Sequence, residues 1–322
     1  MSDITRESPL QARQDDSVGR GVGGENYLVL QCYGSEGIFH ECTYALLSLS
    51  RLYTPEELAN VEIWLYTDKP EWFKGLKDCW LPLHYRQIND ETIKQWRGQI
   101  NFVHRVKIEV LKDFVKNRQG NVLYLDTDIV FTGRIDQLLK NINTGQLYMH
   151  VREGLVSDRG NNIFAKLDTH LRKNVSHKVN DRPVHELAMW NAGVLGFNTK
   201  YNYVLDEVLA FTDSQYPVFP KHVVEQFAFS VYFQQAGVVR AAAPYIFHYW
   251  KLKEARHLLA SFFEHFKDKS WDDLVRYSAL VQVHVLMQEK LNFFQNRSVH
   301  AHIMKKQWLP ERQDWEELTK QI

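Results

Sequence analysis

The chain has 322 residues, of which 44% are hydrophobic and 24% are charged, and its 39 basic side chains balance its 39 acidic ones. This length and hydrophobic content predict one or two domains with a large core. A net charge near zero gives no general attraction to a polyanion, so we expect no nucleic-acid partner.

The first 26 residues are polar and rich in glycine, which predicts a disordered tail and no secretory signal. No apolar run approaches the ~18 residues of a membrane-spanning helix, so we expect a soluble chain that makes at most peripheral contact with a membrane. The three cysteines, Cys32, Cys42 and Cys79, cannot all pair and lack metal-ligand spacing. Reduced thiols and a cytoplasmic location are therefore expected.

Strands and helices alternate along most of the chain, which indicates an α/β fold with a mainly parallel sheet flanked by helices. We interpret 152–183 as a loop near the functional site, and from about residue 253 onward the pattern is helical. The predicted elements are a strand at 27–33, a helix at 39–53, strands at 61–66 and 81–88, a short helix after Asn89 or Asp90, a helix at 103–117, strands at 122–130, 146–151 and 193–197, a helix at 223–236 ended by Gly237, and a strand at 238–242.

Three parts follow from this pattern: a tail at 1–26, an α/β domain at 27–253 and a helical C-terminal extension at 254–322. The extension is rich in aromatic side chains. Packing on the α/β domain is the favoured interpretation, while binding of an acceptor or contact with a membrane surface are the alternatives. The aromatic residues concerned are Phe262, Phe263, Phe266, Trp271, Phe293, Phe294 and Trp308.

The strand at 122–130 contains two aspartates, Asp126 and Asp128. Side chains two residues apart on a strand project to the same face, so the two carboxylates are expected to lie together. They lie at the carboxyl end of a strand, where α/β sheets bind ligands. Hard oxygen ligands suit Mg²⁺ or Mn²⁺, and such an ion suits a diphosphate, although aspartates are also common in simple turns.

Other polar residues occupy positions where apolar ones are expected. Lys107 falls on the apolar stripe of its helix, so its ammonium must either reach water or meet an anion such as a phosphate or one of the aspartates. Glu225 and Gln226 open a helix that is apolar nearly all round, and the helix dipole alone could account for the acid. Asn191 fits either a turn or a sugar-binding amide. His248 fits a core histidine or a metal ligand.

In this order, these features resemble the nucleotide-diphospho-sugar transferases of the Rossmann-like glycosyltransferase A fold. The similarity is closest to the retaining family that includes glycogenin and bacterial lipopolysaccharide galactosyltransferases, and it covers roughly 27–253. The resemblance implies a metal-dependent hexosyltransferase that moves a sugar from a nucleoside diphosphate, with uridine as the expected base, to an acceptor hydroxyl with retention. It leaves open whether the acceptor is a carbohydrate, a lipid-linked molecule or a protein.

The resemblance also implies a role for each candidate residue. Asp126, Asp128 and His248 would hold Mn²⁺ or Mg²⁺, and Glu225 and Gln226 would lie beside the anomeric carbon as the catalytic pair. The implied donor-binding residues are Gln31 and Tyr33 at the base and ribose, Asp126 near the ribose, Lys107 at the diphosphate or the sugar, and Asn191 at the sugar. Close to His248 in the sequence, Lys251 or Lys253 could also reach a phosphate of the donor.

Two other functions stay open. Asp126-Thr127-Asp128-Ile129-Val130 also fits the signature of haloacid-dehalogenase-type phosphatases, whose late acidic pair would have to be Asp272-Asp273. That fold places its signature near the N-terminus, whereas an α/β pattern precedes it here. The second alternative is a non-catalytic sugar-nucleotide-binding protein, which would bind metal and nucleotide without transfer.

Overall fold

The computed structural model describes residues 25–158, 161–179, 181–295, 308–320 and 322. All but the last two residues of the predicted tail at 1–26 lie outside the described residues. The division of the chain at 253 stays a prediction.

The secondary structure alternates as expected for an α/β protein. The strands are β1 (Asn26–Cys32), β2 (Val61–Thr67), β3 (Leu83–Gln87), β4 (Asn121–Leu125), β5 (Ile129–Phe131), β6 (Leu147–Met149), β7 (Arg152–Leu155), β8 (Lys178–Val179), β9 (Arg182–Pro183), β10 (Ala188–Trp190), β11 (Val194–Asn198), β12 (Val239–Ala241) and β13 (Ile246–His248). The helices are α1 (Glu36–Ser50), α2 (Pro70–Lys74), α3 (Asp90–Arg97), α4 (Arg105–Val115), α5 (Asp136–Asn143), α6 (Asn162–Asn174), α7 (Tyr203–Gln215), α8 (Val223–Ala236), α9 (Ala255–His265), α10 (Trp271–Tyr277), α11 (Val283–Gln295) and α12 (Trp315–Thr319).

Seven strands form the central sheet, in the order β12-β6-β11-β4-β1-β2-β3. Strands β4, β1, β2 and β3 run parallel, and β12 is parallel to β6. Strand β11 is antiparallel to both of its neighbours, β4 and β6. The predicted mixed, mainly parallel sheet flanked by helices is therefore confirmed.

Side chains of each strand alternate between two cores, one on either face of the sheet. In β1, Leu28 and Leu30 pack in the core that contains α1, α5 and the C-terminal helices. Tyr27 and Val29 point to the opposite face and pack in the core that contains α4, α6, α7 and α8. Every residue of β4, in the middle of the sheet, is buried, as expected of a strand that is covered on both faces.

The C-terminal helices contribute to the first of these cores. Phe262, Phe266, Trp271 and Trp308 are buried there, and Phe263, Phe293 and Phe294 are partly buried against the same cluster. Packing on the α/β domain, the favoured interpretation of these aromatic residues, is confirmed. Among the described helices, none is both long enough and apolar enough to cross a bilayer.

Two sequence predictions differ from the structure. The strand expected at 122–130 is divided into β4 and β5, because the chain leaves the central sheet after Leu125 and β5 pairs with β13 instead. Asp126 and Asp128 therefore lie in a bend, and strand alternation is not what brings them together. The segment 152–183 is not a loop, since it contains β7, β8, β9 and the 13-residue helix α6, whose Phe164, Leu167 and Leu171 are buried.

Candidate active site

A cleft of about 730 Å³ opens at the carboxyl ends of β1 and β4. The structure brings every candidate residue from the sequence to this one cleft, although the residues come from widely separated segments. The predicted residues that line the cleft are Gln31, Tyr33, Lys107, Asp126, Asp128, Asn191, Glu225, Gln226, His248 and Lys251.

Asp126, Asp128 and His248 form a cluster whose potential ligand atoms all lie within 4.8 Å of one another. The His248 Nε2 atom is 3.1 Å from Asp128 Oδ1 and 3.9 Å from Asp126 Oδ2. The pairing of β13 with β5, in which His248 faces Ile129, positions the ring beside the aspartates. Two carboxylates and an imidazole suit a divalent cation such as Mn²⁺ or Mg²⁺, so the residues fit a metal site.

Asp128 is buried, with 5% of its surface exposed. Burial acts to raise the pKa of its carboxyl, but His248 and Lys253 outweigh burial and hold the pKa well below its usual range. The Lys253 Nζ atom lies 2.5 Å from Asp128 Oδ2. The carboxylate is therefore ionised at neutral pH, which is the state that a metal ligand needs.

Gly193 lies directly against the His248 ring. A Cβ atom on Gly193 would lie 2.1 Å from both Cε1 and Nδ1 of His248, closer than any van der Waals contact. Because glycine has no side chain, Gly193 permits the close approach of the His248 ring.

Lys107 is buried to 3% exposure, and three oxygen atoms lie close to its ammonium group. Its Nζ atom is 2.9 Å from the carbonyl oxygen of Ala192, 3.2 Å from Asp126 Oδ1 and 3.4 Å from Glu225 Oε1. Burial acts to lower the pKa of Lys107, but the two carboxylates outweigh it and hold the pKa above its usual value. The predicted contact with an aspartate is confirmed, and the alternative of an ammonium in water is wrong.

Glu225 lies in the first turn of α8 and is buried to 3% exposure. Burial raises the pKa of its carboxyl to about 7, although Lys107 acts in the opposite direction. Within the described part of the chain, Glu225 Oε1 makes no hydrogen bond. Because burial disfavours its ionised form, Glu225 takes up a proton near neutral pH.

Asn191 and Gln226 are joined through a residue that sequence reasoning missed, Glu153 of β7. The Asn191 amide donates to Glu153 Oε1 at 3.2 Å, and the Gln226 amide donates to Oε2 at 2.8 Å. The Asn191 Oδ1 atom accepts from the Gly193 amide at 3.0 Å and is 2.9 Å from His248 Nδ1. Glu153 was overlooked because it lies in the segment that we interpreted as a loop.

Other side chains at the cleft make contacts that the sequence did not predict. Tyr124 donates a hydrogen bond to Asp126 Oδ1 at 2.9 Å. The guanidinium of Arg256 binds both carboxylate oxygens of the buried Glu41, at 2.9 Å each. Lys253 contacts Asp128, whereas Lys251, the predicted diphosphate ligand, is exposed with its Nζ atom 5.3 Å from the centre of the Trp250 ring.

The acidic pair that a phosphatase would need is elsewhere in the molecule. Asp272 and Asp273 belong to α10 and do not line the cleft. Asp272 accepts a hydrogen bond from the Trp80 indole at 3.2 Å, and the Asp273 amide donates to the helix-capping Ser270 hydroxyl at 3.3 Å. Both aspartates therefore have structural partners on another part of the surface.

The sequence matches a family model described as glycosyl transferase family 8 over residues 81–204. This chain is a glycosyltransferase. The matched segment runs from before β3 into α7 and includes Lys107, Asp126, Asp128 and Asn191. No curated protein matches the sequence of this glycosyltransferase at a significant level.

Several solved structures are similar to the glycosyltransferase in chain path. Mouse xyloside xylosyltransferase 1 in its apo form is 14% identical with a TM-score of 0.46, covering 67% of this chain and 84% of that one. The glycosyltransferase GlyE of Streptococcus pneumoniae TIGR4 is 15% identical with a TM-score of 0.47, covering 80% and 64% respectively. An active-site mutant of LgtC is 13% identical with a TM-score of 0.46, covering 73% and 95%.

Proposed function

We propose that this glycosyltransferase moves a hexose from a nucleoside-diphosphate sugar, with uridine as the expected base, to an acceptor hydroxyl. The observation that carries the proposal is the Asp126, Asp128 and His248 cluster, which lies in one cleft with the buried Lys107. These three side chains would hold Mn²⁺ or Mg²⁺. A cation bound there would neutralise the negative charge that develops on the departing diphosphate.

The side chains of the cleft divide into those for the nucleotide and those for the sugar. Gln31 and Tyr33, at the end of β1, would contact the base and the ribose. Lys251 and Lys253 would face the diphosphate as additional positive charges. An ammonium has three N–H groups, and Lys107 uses two of them in hydrogen bonds to Asp126 and to the Ala192 carbonyl, so the third could contact the donor in place of its ion pair with Glu225.

Asn191 and Gln226 would bind the sugar through hydrogen bonds to its hydroxyls, beside the buried Glu225. Retention of the anomeric configuration is compatible with two routes. In one route, the Glu225 carboxylate would displace the diphosphate from the anomeric carbon, and the acceptor hydroxyl, losing its proton, would then displace the carboxylate. In the other route, the acceptor attacks on the side of the leaving group, whose oxygens take up the proton.

The test is a panel of nucleoside-diphosphate sugars in thermal-shift and transfer assays with and without Mn²⁺. A donor should raise the melting temperature by mass action only when metal is present. Loss of one transition-state stabiliser costs about 2.7–4 kcal/mol, so Asp128→Ala should lower turnover about 10²–10³-fold. The exposed Asp268→Ala is the matched control, and metal-dependent turnover that survives in both Asp126→Ala and Asp128→Ala would overturn the proposal.

A further inference from the structure

Glu153 joins the predicted metal ligand to the predicted sugar-binding side chains. We propose that Glu153 is a positioning residue that fixes the orientation of Asn191, Gln226 and His248, an inference that rests on the proposed function. Its carboxylate bridges the two amide groups, and Asn191 in turn contacts the imidazole. Glu153 itself lines the cleft on β7, a strand that pairs with β10 outside the central sheet.

The orientation of the Asn191 amide follows from the chemistry of its neighbours. An ionised carboxylate can only accept hydrogen bonds, so Glu153 must face the NH₂ group of Asn191. The backbone amide of Gly193 can only donate, so it must face the Asn191 Oδ1 atom, 3.0 Å away. Both neighbours therefore select the same orientation of the Asn191 amide. In the flipped orientation, the NH₂ group would face the Gly193 N–H and the Oδ1 atom would face the Glu153 carboxylate.

The orientation of the Asn191 amide in turn determines which nitrogen of His248 carries a proton. The Asn191 Oδ1 atom can only accept, so His248 Nδ1, 2.9 Å away, must carry the proton of the neutral ring. In the neutral ring this leaves a lone pair on Nε2, which would oppose the acceptor oxygens of Asp126 and Asp128 if no cation were present, so this tautomer belongs to the metal-bound site. A metal-binding histidine needs this tautomer, and the outer hydrogen bond that fixes it raises metal affinity.

Gln226 is oriented by the other oxygen of the same carboxylate. Its NH₂ group donates to Glu153 Oε2 at 2.8 Å, so its carbonyl oxygen stays available to accept from a sugar hydroxyl. Glu153 thus couples two properties of the site, the affinity for the cation and the orientation of the amide that follows Glu225. If Glu153 only held β7 against α8, its loss would affect neither the affinity for the cation nor the orientation of the Gln226 amide.

The experiment titrates Mn²⁺ into the full-length protein and measures the free ion by electron paramagnetic resonance. Glu153→Ala and Glu153→Gln should each weaken Mn²⁺ binding, by less than the about tenfold to hundredfold usual for losing a direct partner of a metal ligand, because Glu153 acts on His248 through Asn191. Both variants should also raise the KM for the donor at saturating Mn²⁺. Glu186→Ala, a change at an exposed glutamate that does not line the cleft, should bind Mn²⁺ as the wild type does.

The variants separate this inference from the proposed function. If Asp128→Ala loses Mn²⁺ binding while both Glu153 variants keep the wild-type affinity, the positioning role is wrong and the metal site stands. If wild type and Asp128→Ala bind Mn²⁺ equally, the proposed function itself fails. Glu153→Gln preserves the shape of the side chain. If Glu153→Ala does not fold, the Mn²⁺ affinity of Glu153→Gln is therefore sufficient to test the positioning role.

Discussion

At the scale of single residues, the cleft depends on ion pairs and on close packing that few other side chains could replace. The buried Lys107 lies between two carboxyls, that of the partly exposed Asp126 and that of the buried Glu225. Gly193 leaves no space for a side chain beside His248. Substitutions at these positions should therefore change the function of the cleft, and removal of one partner of the buried ion pair should also lower the stability of the fold.

Gly193→Ala should displace the His248 ring, because the added Cβ would lie 2.1 Å from two ring atoms. We expect Mn²⁺ affinity and turnover to fall at least tenfold, with the far-UV circular dichroism spectrum unchanged. The control is Gly75→Ala, where the nearest atom to an added Cβ is a backbone oxygen at an ordinary 3.4 Å. Wild-type Mn²⁺ affinity in Gly193→Ala would show that the ring tolerates displacement.

Glu225 should make stability depend on pH. Its pKa in the folded protein, about 7, is above the usual value of 4.5. Its contribution to stability is therefore full below pH 4.5 and is lost as the pH rises through 7. The free energy of unfolding of the wild type, relative to that of Glu225→Gln, should fall by about 3 kcal/mol between pH 4 and pH 8. Parallel urea-unfolding series would measure this difference, and a constant or rising difference would contradict the assignment.

Lys253 and Lys251 should differ in their effect on the cation. The Lys253 ammonium lies 2.5 Å from an Asp128 oxygen and competes with a metal for that carboxylate. Without donor, Lys253→Ala should therefore bind Mn²⁺ several-fold more tightly than wild type, whereas Lys251→Ala should not. Calorimetric titration of both variants tests this, and weaker binding by Lys253→Ala would mean that the lysine supports the metal site.

At the scale of elements, the C-terminal helices are part of the core of the catalytic domain. Helices α9 and α10 both contact α1, and Trp271 of α10 is fully buried, with its indole donating to the Ser50 hydroxyl at 3.3 Å. Helix α1 thus packs between the sheet and the C-terminal helices. Loss of the contact should therefore destabilise the whole domain.

Trp271→Ala should lower the free energy of unfolding by about 3–5 kcal/mol, the usual cost of removing a large buried aromatic side chain. Tryptophan fluorescence and circular dichroism should still report one common urea transition, shifted to lower denaturant. Val285→Ala on α11, at a side chain that is 39% exposed, should shift the midpoint far less. Two separate transitions in Trp271→Ala would show that the C-terminal helices unfold independently of the sheet.

At the scale of the whole molecule, the sheet and the members of the cleft could be predicted from the sequence, but their interactions could not. Apolar strands such as β2 and the polar residues at their carboxyl ends are local signals, because periodicity and residue type are read within one window. The hydrogen bonds of Glu153 join residues 38 and 73 positions away. No local pattern encodes such contacts, so Glu153 and the break between β4 and β5 were missed.

The short ribbon of β5 and β13 determines which side chain enters the cleft. His248 is paired with Ile129, while Phe247 is paired with Val130 and points the other way. Because neighbouring residues of a strand face opposite sides, a slip of one residue in this ribbon would exchange the imidazole for a phenyl ring. The register of a three-residue ladder thus decides whether His248 or Phe247 lies beside the two aspartates.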